Sequence, residues 1–110
     1  ITGLTTVHFE YDSSKLTEES KRLLAANAEW LNSNSNVTLS IEGHSDSRGS
    51  NEYNLTLGER RANTVRTFLQ GLGVDSSRLI TTTFGEEKLI SMGDGENDHY
   101  QNRRANFVPR

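Results

Sequence analysis

The chain has 110 residues, a formal net charge of −3 at pH 7 and no cysteine. This length supports one domain with one modest core, so we expect a single domain over residues 1–110. The acidic balance argues against a nucleic-acid surface, which is normally basic, and the lack of cysteine excludes a disulfide framework and a thiolate metal site. No apolar run approaches about 18 residues, so the sequence predicts a soluble domain, whether or not an export signal or lipid anchor precedes it in a longer protein.

Residue spacing predicts a strand, a helix and a second strand in the first half of the chain. Apolar and polar residues alternate from Val7 and predict a short strand that ends at Tyr11-Asp12. Thr17 is a suitable N-cap for a helix that runs to about Asn32. A second alternating segment, residues 37–42, predicts a strand with one face toward the core.

The second half continues the alternation of helices and strands. A helix is expected to begin between Asn51 and Leu55 and to end at Gly71 or Gly73, because glycine suits a helix C-terminus. Three further segments are a strand at residues 79–84, a polar loop at 93–98 with a short helical turn after it, and a closing strand at 104–108. This order predicts an α/β (α+β) fold with helices packed on one face of a mixed sheet.

The segment from Gly43 to Val65 combines opposite charges around one loop. Asp46 lies in a turn rich in glycine and serine, directly after a predicted strand, and Arg61 lies on the following helix. Arg61 is in register with the predicted apolar stripe of that helix, namely Val65, Phe68 and Leu72. A guanidinium on the inward face must find an anion, either an internal carboxylate or a ligand. From the residues alone, Asp46 has a second interpretation as a cap for the amides of its own loop.

Several motifs in this segment resemble the OmpA-like peptidoglycan-binding domain. They are Gly43-His44-Ser45-Asp46, Gly49, Asn54-Leu55, Leu57-Gly58-Glu59-Arg60-Arg61-Ala62 and, near the end of the chain, Asn102-Arg103-Arg104-Ala105. Within the family, the chain is most similar to the branch of peptidoglycan-associated lipoproteins, through Glu52-Tyr53-Asn54, Gly58, Gly85-Glu86-Glu87-Lys88 and Tyr100. It departs from that branch at Leu89, where proline is usual. The resemblance covers nearly the whole chain and implies the OmpA-like two-layer sandwich, βαβαβ with helices on one face of a mixed sheet.

The resemblance implies a non-catalytic site for meso-diaminopimelate, the cross-linking residue of the peptidoglycan stem peptide. Asp46 would accept hydrogen bonds from its ammonium and Arg61 would bind its carboxylate, which suits an acceptor-only group and a planar donor fork. The further residues implied at the site are Asn54 and Arg103 as hydrogen-bond donors, Phe9, Tyr11 and Asp12 at the pocket edge, and Leu57 as the wall beneath. His44 belongs to the expected site as a strand-end hydrogen bonder, and Arg104 is expected to be a structural partner for a nearby carboxylate.

The same resemblance implies an outer-membrane lipoprotein that faces the periplasm, with its lipid anchor outside this chain. The implied partners are peptidoglycan and the Tol-system proteins, above all TolB, with no cofactor. An alternative is the C-terminal domain of an OmpA porin or of a flagellar stator protein. A more distant alternative is a metal-dependent hydrolase, because Glu42, His44 and Asp46 recur with period two and could ligate a divalent metal together with His8.

Overall fold

The computed structural model describes residues 4–110, and the first three residues of the predicted domain lie outside the described residues. Strands and helices alternate along this range in the predicted order. They are β1 (Val7–His8), α1 (Glu18–Ser33), β2 (Leu39–His44), α2 (Asn51–Gly71), β3 (Leu79–Gly85), α3 (Glu96–Asn102) and β4 (Arg104–Pro109), with a 3₁₀ turn (Ser76–Arg78) before β3. Helix α3 is the short helical turn predicted before the closing strand, but it begins inside the segment that was predicted to be a polar loop.

The four strands form one mixed sheet in the order β1-β4-β2-β3. Strand β4 is antiparallel to both β1 and β2, whereas β2 and β3 are parallel. Parallel neighbours need a crossover connection, and α2 supplies it. The apolar faces of α1 and α2 share one core with the sheet, so the prediction of helices on one face of a mixed sheet is confirmed.

The predicted caps and stripes of the helices are mostly correct. The Thr17 hydroxyl accepts a hydrogen bond from the Ser20 amide at 3.1 Å and caps α1, as expected. In α2, however, Leu72 is 41% exposed and does not belong to the apolar stripe, because the helix has already ended at Gly71. Leu69 completes the buried stripe instead. None of the helices within residues 4–110 has the length and apolarity that a bilayer span requires.

Strand β1 is shorter than predicted. Only Val7 and His8 pair with β4, and the ladder ends with the Phe9 amide donating to the Arg103 carbonyl at 2.8 Å. The chain then turns, and Asp12 adopts a positive φ of 52°. Strand pairing depends on where the partner strand runs, so the local alternation alone placed the end of β1 too late.

Helix α2 touches strand β2 backbone to backbone where two glycines meet. A Cβ atom on Gly43 would lie 1.7 Å from the Gly58 carbonyl oxygen, and one on Gly58 would lie 2.4 Å from the Thr83 hydroxyl oxygen. Both distances are far below van der Waals contact, so neither position has room for a side chain. This close approach lays the first turns of α2 on the end of β2 and brings Arg61 to the carbonyl of His44.

We expect Gly43→Ala to lower the free energy of unfolding by about 3 kcal/mol or more, because the methyl group overpacks against a backbone that cannot yield easily. Urea unfolding followed by circular dichroism measures this. Gly71→Ala is the matched control, since nothing lies within 4 Å of a Cβ atom there. It should change stability by about 1 kcal/mol at most, in the stabilising direction. Equal stabilities for the two variants would contradict the proposed glycine contact.

Candidate functional site

A small cavity of about 60 Å³ lies at the carboxyl end of β2. Its walls come from the turn after β1, the loop after β2 and the first turns of α2. The lining residues are Tyr11, Asp12, Asp46, Arg48, Gly49, Tyr53, Asn54, Leu57 and Arg61. Six of the nine predicted site residues are therefore brought together here, although they are spread over a large part of the sequence. Phe9, His44 and Arg103 do not line the cavity.

A larger groove of about 520 Å³ runs along the exposed side of α2. It shares no lining residue with the cavity, and Arg60 is its one charged residue. Its size alone does not make it the functional site, because recognition of a polar ligand depends on convergent polar groups rather than on volume. The smaller cavity has those groups.

The Asp46 carboxylate is buried and fully engaged by two arginines. One oxygen accepts from the Arg48 amide at 3.0 Å and from Arg48 Nε at 3.3 Å. The other accepts from Arg48 Nη2 at 2.7 Å and from Arg103 Nη1 at 3.5 Å. Burial alone would raise the pKa of Asp46, but the hydrogen bonds and charge of Arg48 outweigh it and lower this pKa below its ordinary value. Asp46 thus caps its own loop and also carries a negative charge into the cavity wall.

Arg61 is fully buried and ties two chain segments to α2. Its guanidinium donates to the carbonyls of Ser13, His44 and Glu10 at 2.9, 2.8 and 3.2 Å. Among the described residues no carboxylate lies within 4.0 Å of it, so the alternative of an internal carboxylate partner is wrong. Its partners are instead backbone carbonyls, which would otherwise be buried without a hydrogen-bond donor. Three of its five N–H groups are used in this way.

The Arg61 side chain remains a cation at neutral pH. Burial, helped by the charge of Arg103, lowers its pKa to about 10, whereas Asp46 and Asp12 oppose that shift. The guanidinium is therefore a buried positive charge in the cavity wall that is balanced by nearby carboxylates without direct contact. Such a group favours an anion at the remaining N–H positions.

Arg103 and Glu96 complete a ring of alternating charges with Asp46 and Arg48, which we call the charge ring. Arg103 is 1% exposed, donates through Nε to the Phe9 carbonyl at 2.8 Å, and holds Glu96 at 2.7 and 3.2 Å. Arg48 Nη2 lies 3.8 Å from the Glu96 carboxylate and closes the ring. Neither Arg48 nor Glu96 was expected at the site. The available signal was weak: Arg48 follows Asp46 by two residues, a spacing that suits a local side-chain cap.

The other predicted site residues that line the cavity are Tyr11, Asp12, Asn54 and Leu57. Leu57 is buried in the cavity wall, and Tyr11 and Asp12 lie at its edge, where the Tyr53 hydroxyl hydrogen-bonds to the Asp12 carboxylate. Asn54 lines the cavity, but its amide nitrogen already donates to the Arg48 carbonyl and to Glu86, the latter at 2.8 Å.

Phe9 was expected at the pocket edge through its backbone, but it does not line the cavity. Its ring is fully buried in the core, and its carbonyl is held by Arg103. Arg104 was also misjudged, because it donates to the carbonyls of Asn102 and Lys88 at 3.4 and 3.0 Å rather than to a carboxylate.

His44 is a buried ring beside the site rather than a member of it. At the end of β2 its backbone carbonyl accepts a hydrogen bond from Arg61, whereas neither ring nitrogen has a hydrogen-bond partner within residues 4–110. The ring stacks on Phe84 with centroids 5.5 Å apart. Burial, and then the charge of Arg104, lower its pKa to about 4. His44 is therefore neutral at physiological pH.

The metal-site alternative finds no support in this geometry. Nε2 of His44 lies 3.7 Å from the Glu42 carboxylate, but the Asp46 carboxylate faces the two arginines instead. In the part of the chain that the structure describes, no three His, Asp or Glu side chains are grouped to hold a metal ion.

The sheet order β1-β4-β2-β3, two helices on one face, and a charged cavity at the end of β2 define an OmpA-like α/β sandwich. The chain belongs to the OmpA family, and residues 8–103 match the sequence pattern of that family. It is 43% identical over 99 residues to the peptidoglycan-associated lipoprotein of Mesorhizobium japonicum, covering 90% of this chain and 59% of that protein. The corresponding lipoprotein of Haemophilus influenzae is 42% identical over 100 residues, which cover 91% of this chain and 65% of that protein.

Solved structures agree with this assignment. The crystal structure of the peptidoglycan-associated lipoprotein from Burkholderia pseudomallei matches with a TM-score of 0.91 and 37% identity over 96% of this chain and 89% of that one. The C-terminal domain of Helicobacter pylori MotB matches with a TM-score of 0.90 over 98% of this chain and 85% of that one, but at 19% identity it shows the fold alone. The predicted family, its lipoprotein-like branch and the non-enzymatic class are confirmed. The chain spans between 59% and 65% of the length of these two curated relatives.

We expect the burial of His44 to make the protein less stable as the pH falls. Because the pKa of His44 is about 4 in the folded protein and near 6.5 when unfolded, only the unfolded chain binds this proton between those values. This difference should remove about 2 kcal/mol of unfolding free energy between pH 7 and pH 5. His44→Leu replaces the ring by an apolar side chain of similar size that cannot bind a proton. It should therefore reduce the pH dependence of the unfolding free energy by that amount in urea titrations. An NMR titration in which the folded His44 ring has a midpoint near 6.5 would contradict this prediction.

Proposed function

We propose that this chain is a single, non-catalytic module that binds the meso-diaminopimelate residue of the peptidoglycan stem peptide. The observation that carries the proposal is that Asp46 and Arg61 line the same small cavity. The free end of meso-diaminopimelate holds an ammonium and a carboxylate on one carbon atom. A ligand of that kind needs an acceptor-only group and a planar donor at a fixed separation.

The roles of the residues follow from their contacts. Asp46 accepts from the ammonium, and the two remaining N–H groups of Arg61 bind the carboxylate. Arg103 and Asn54 act mainly by holding Asp46 and the loop carbonyl of Arg48 in place. Leu57 forms the apolar wall below the ligand. Tyr11 and Asp12 provide the rim against which the rest of the stem peptide lies.

The setting of the whole protein is also proposed. The named relatives are peptidoglycan-associated lipoproteins, which supports an outer-membrane lipoprotein in the periplasm that tethers this membrane to the cell wall. The lipid anchor would lie outside this chain, and the Tol-system proteins, TolB first among them, would be its protein partners. Identity of 43% to a lipoprotein, against 19% to MotB, supports this setting over that of a flagellar protein. Neither the acidic charge nor the site favours a nucleic acid.

Selectivity between cell-wall types tests the role of Arg61. Lysine lacks the terminal carboxylate of meso-diaminopimelate, so a lysine stem peptide offers no acceptor to the two N–H groups that Arg61 does not use in the fold. We expect the domain to prefer the diaminopimelate peptide by about tenfold to several hundredfold. Amidation of the diaminopimelate carboxylate should weaken binding for the same reason. Calorimetric titration with the three matched peptides measures this, and equal affinities would overturn the proposed recognition.

Substitution of Asp46 tests the other half of the site. Asp46→Asn keeps the size of the side chain but removes the charge that the ammonium needs, so affinity for the diaminopimelate peptide should fall by at least about tenfold. Asp94→Asn makes the same change of charge in an exposed loop and should bind like the wild type. Arg61→Ala is a poor probe, because it also leaves three carbonyls without their donor. Full binding by Asp46→Asn, with an unchanged circular dichroism spectrum, would remove Asp46 from the site.

A further inference from the structure

We propose that Arg48 is an internal competitor: its guanidinium occupies Asp46 in the free domain, and the ligand ammonium binds by displacing it toward Glu96. This inference rests on the proposed function and deepens it. It assigns Arg48 a positioning role that regulates access to the site, rather than a role as a ligand-binding group.

The Asp46 carboxylate has no acceptor position to spare in the free domain. A carboxylate offers about four lone-pair positions, and four N–H groups occupy those of Asp46. Three of these groups belong to Arg48 and one to Arg103. An ammonium of the ligand can therefore bind Asp46 well only if at least one of these donors leaves.

Arg103 is anchored on other acceptors besides Asp46, whereas the Arg48 guanidinium has no other hydrogen-bond partner among the described residues. Arg103 is 1% exposed and is anchored by the Phe9 carbonyl and by Glu96. The Arg48 side chain is 39% exposed, and in the described structure its guanidinium hydrogen-bonds only to Asp46. The displaceable donors are thus the two N–H groups of that guanidinium. The Arg48 backbone amide continues to cap Asp46, so the loop keeps its shape.

The surroundings of Arg48 offer it a second position. Its guanidinium already lies 4.1 Å from the centre of the Tyr11 ring, a cation–π contact, and 3.8 Å from the Glu96 carboxylate. Glu96 stays bound to Arg103, but its side chain is 70% exposed, so its carboxylate has open acceptor positions for a second guanidinium. A small rotation therefore exchanges one anionic partner for another. Because the incoming ammonium replaces the guanidinium at Asp46, the exchange leaves the charge of the site balanced.

The affinities of variants test this role. Because Arg48 competes through a partly exposed ion pair, Arg48→Ala should bind the diaminopimelate stem peptide about two- to tenfold more tightly than the wild type. Arg48→Lys, which has no planar fork, should lie between the two. Arg22→Ala removes an equal charge from an exposed position on α1 and should leave affinity unchanged. Circular dichroism and calorimetry of the four proteins give the comparison.

The possible outcomes separate this inference from the proposed function. No binding of the diaminopimelate peptide by the wild type would overturn both. Binding by the wild type with weaker binding by Arg48→Ala would mean that Arg48 holds the ligand itself, and it would overturn the competitor role alone. Equal affinities of these two proteins would overturn it as well.

A measurement on the wild-type protein gives an independent test. The Nε–H groups of Arg48 and Arg103 can be followed by NMR during titration with the diaminopimelate peptide. We expect the Arg48 resonance to shift as its bond to Asp46 is lost, while the Arg103 resonance, held by the Phe9 carbonyl, stays nearly constant. An Arg48 resonance that does not change at saturation would overturn the inference, even if a variant failed to fold.

Discussion

The buried guanidinium of Arg61 is the interaction on which the rest of the site depends. It reaches from α2 to the carbonyls of Ser13, His44 and Glu10, and so joins the turn after β1 to the end of β2. A buried acceptor left without a donor costs about 1–3 kcal/mol, so this one side chain stabilises the meeting of three segments. The same meeting creates the cavity. Arg61 therefore serves both structure and site: three of its N–H groups join the segments, and two more remain on a side chain that lines the cavity.

The charges around the cavity are arranged so that the unliganded domain is already balanced. Isolated buried ions are very costly, and the charge ring of Asp46, Arg48, Glu96 and Arg103 avoids this by giving each charge two partners of opposite sign. Arg61 stands outside the ring and relies on carbonyls. The contrast between the ion-paired ring and Arg61, whose direct partners are carbonyls, gives a physical reason for the proposed selectivity. A zwitterionic ligand can replace one exposed member of the ring and supply an anion to Arg61 without leaving a net charge buried in the site.

The sequence predicted most of the fold because its signals are local. Strand alternation and helical spacing repeat every few residues, and they identified the main strands and both long helices correctly. Predictions failed where tertiary structure decides, as at Leu72, which follows the end of its helix, and at the early end of β1.

The family motifs placed Asp46 and Arg61 together. Arg48 and Glu96 were missed because a turn arginine and an acidic residue in a first helical turn are ordinary surface features. Only the tertiary fold, which brings the start of α3 close to the loop after β2, places them in one ring.

The occupation of Asp46 by Arg48 limits how tightly the proposed tether holds any one stem peptide. A ligand that must displace Arg48 gains only the difference between two ion pairs at Asp46, so a single stem peptide binds modestly. Peptidoglycan, however, presents many identical stem peptides along one polymer, and a domain held at a membrane surface meets them at a high effective concentration. Modest affinity at each site, multiplied in this way, gives an attachment that is strong as a whole and exchangeable in its parts.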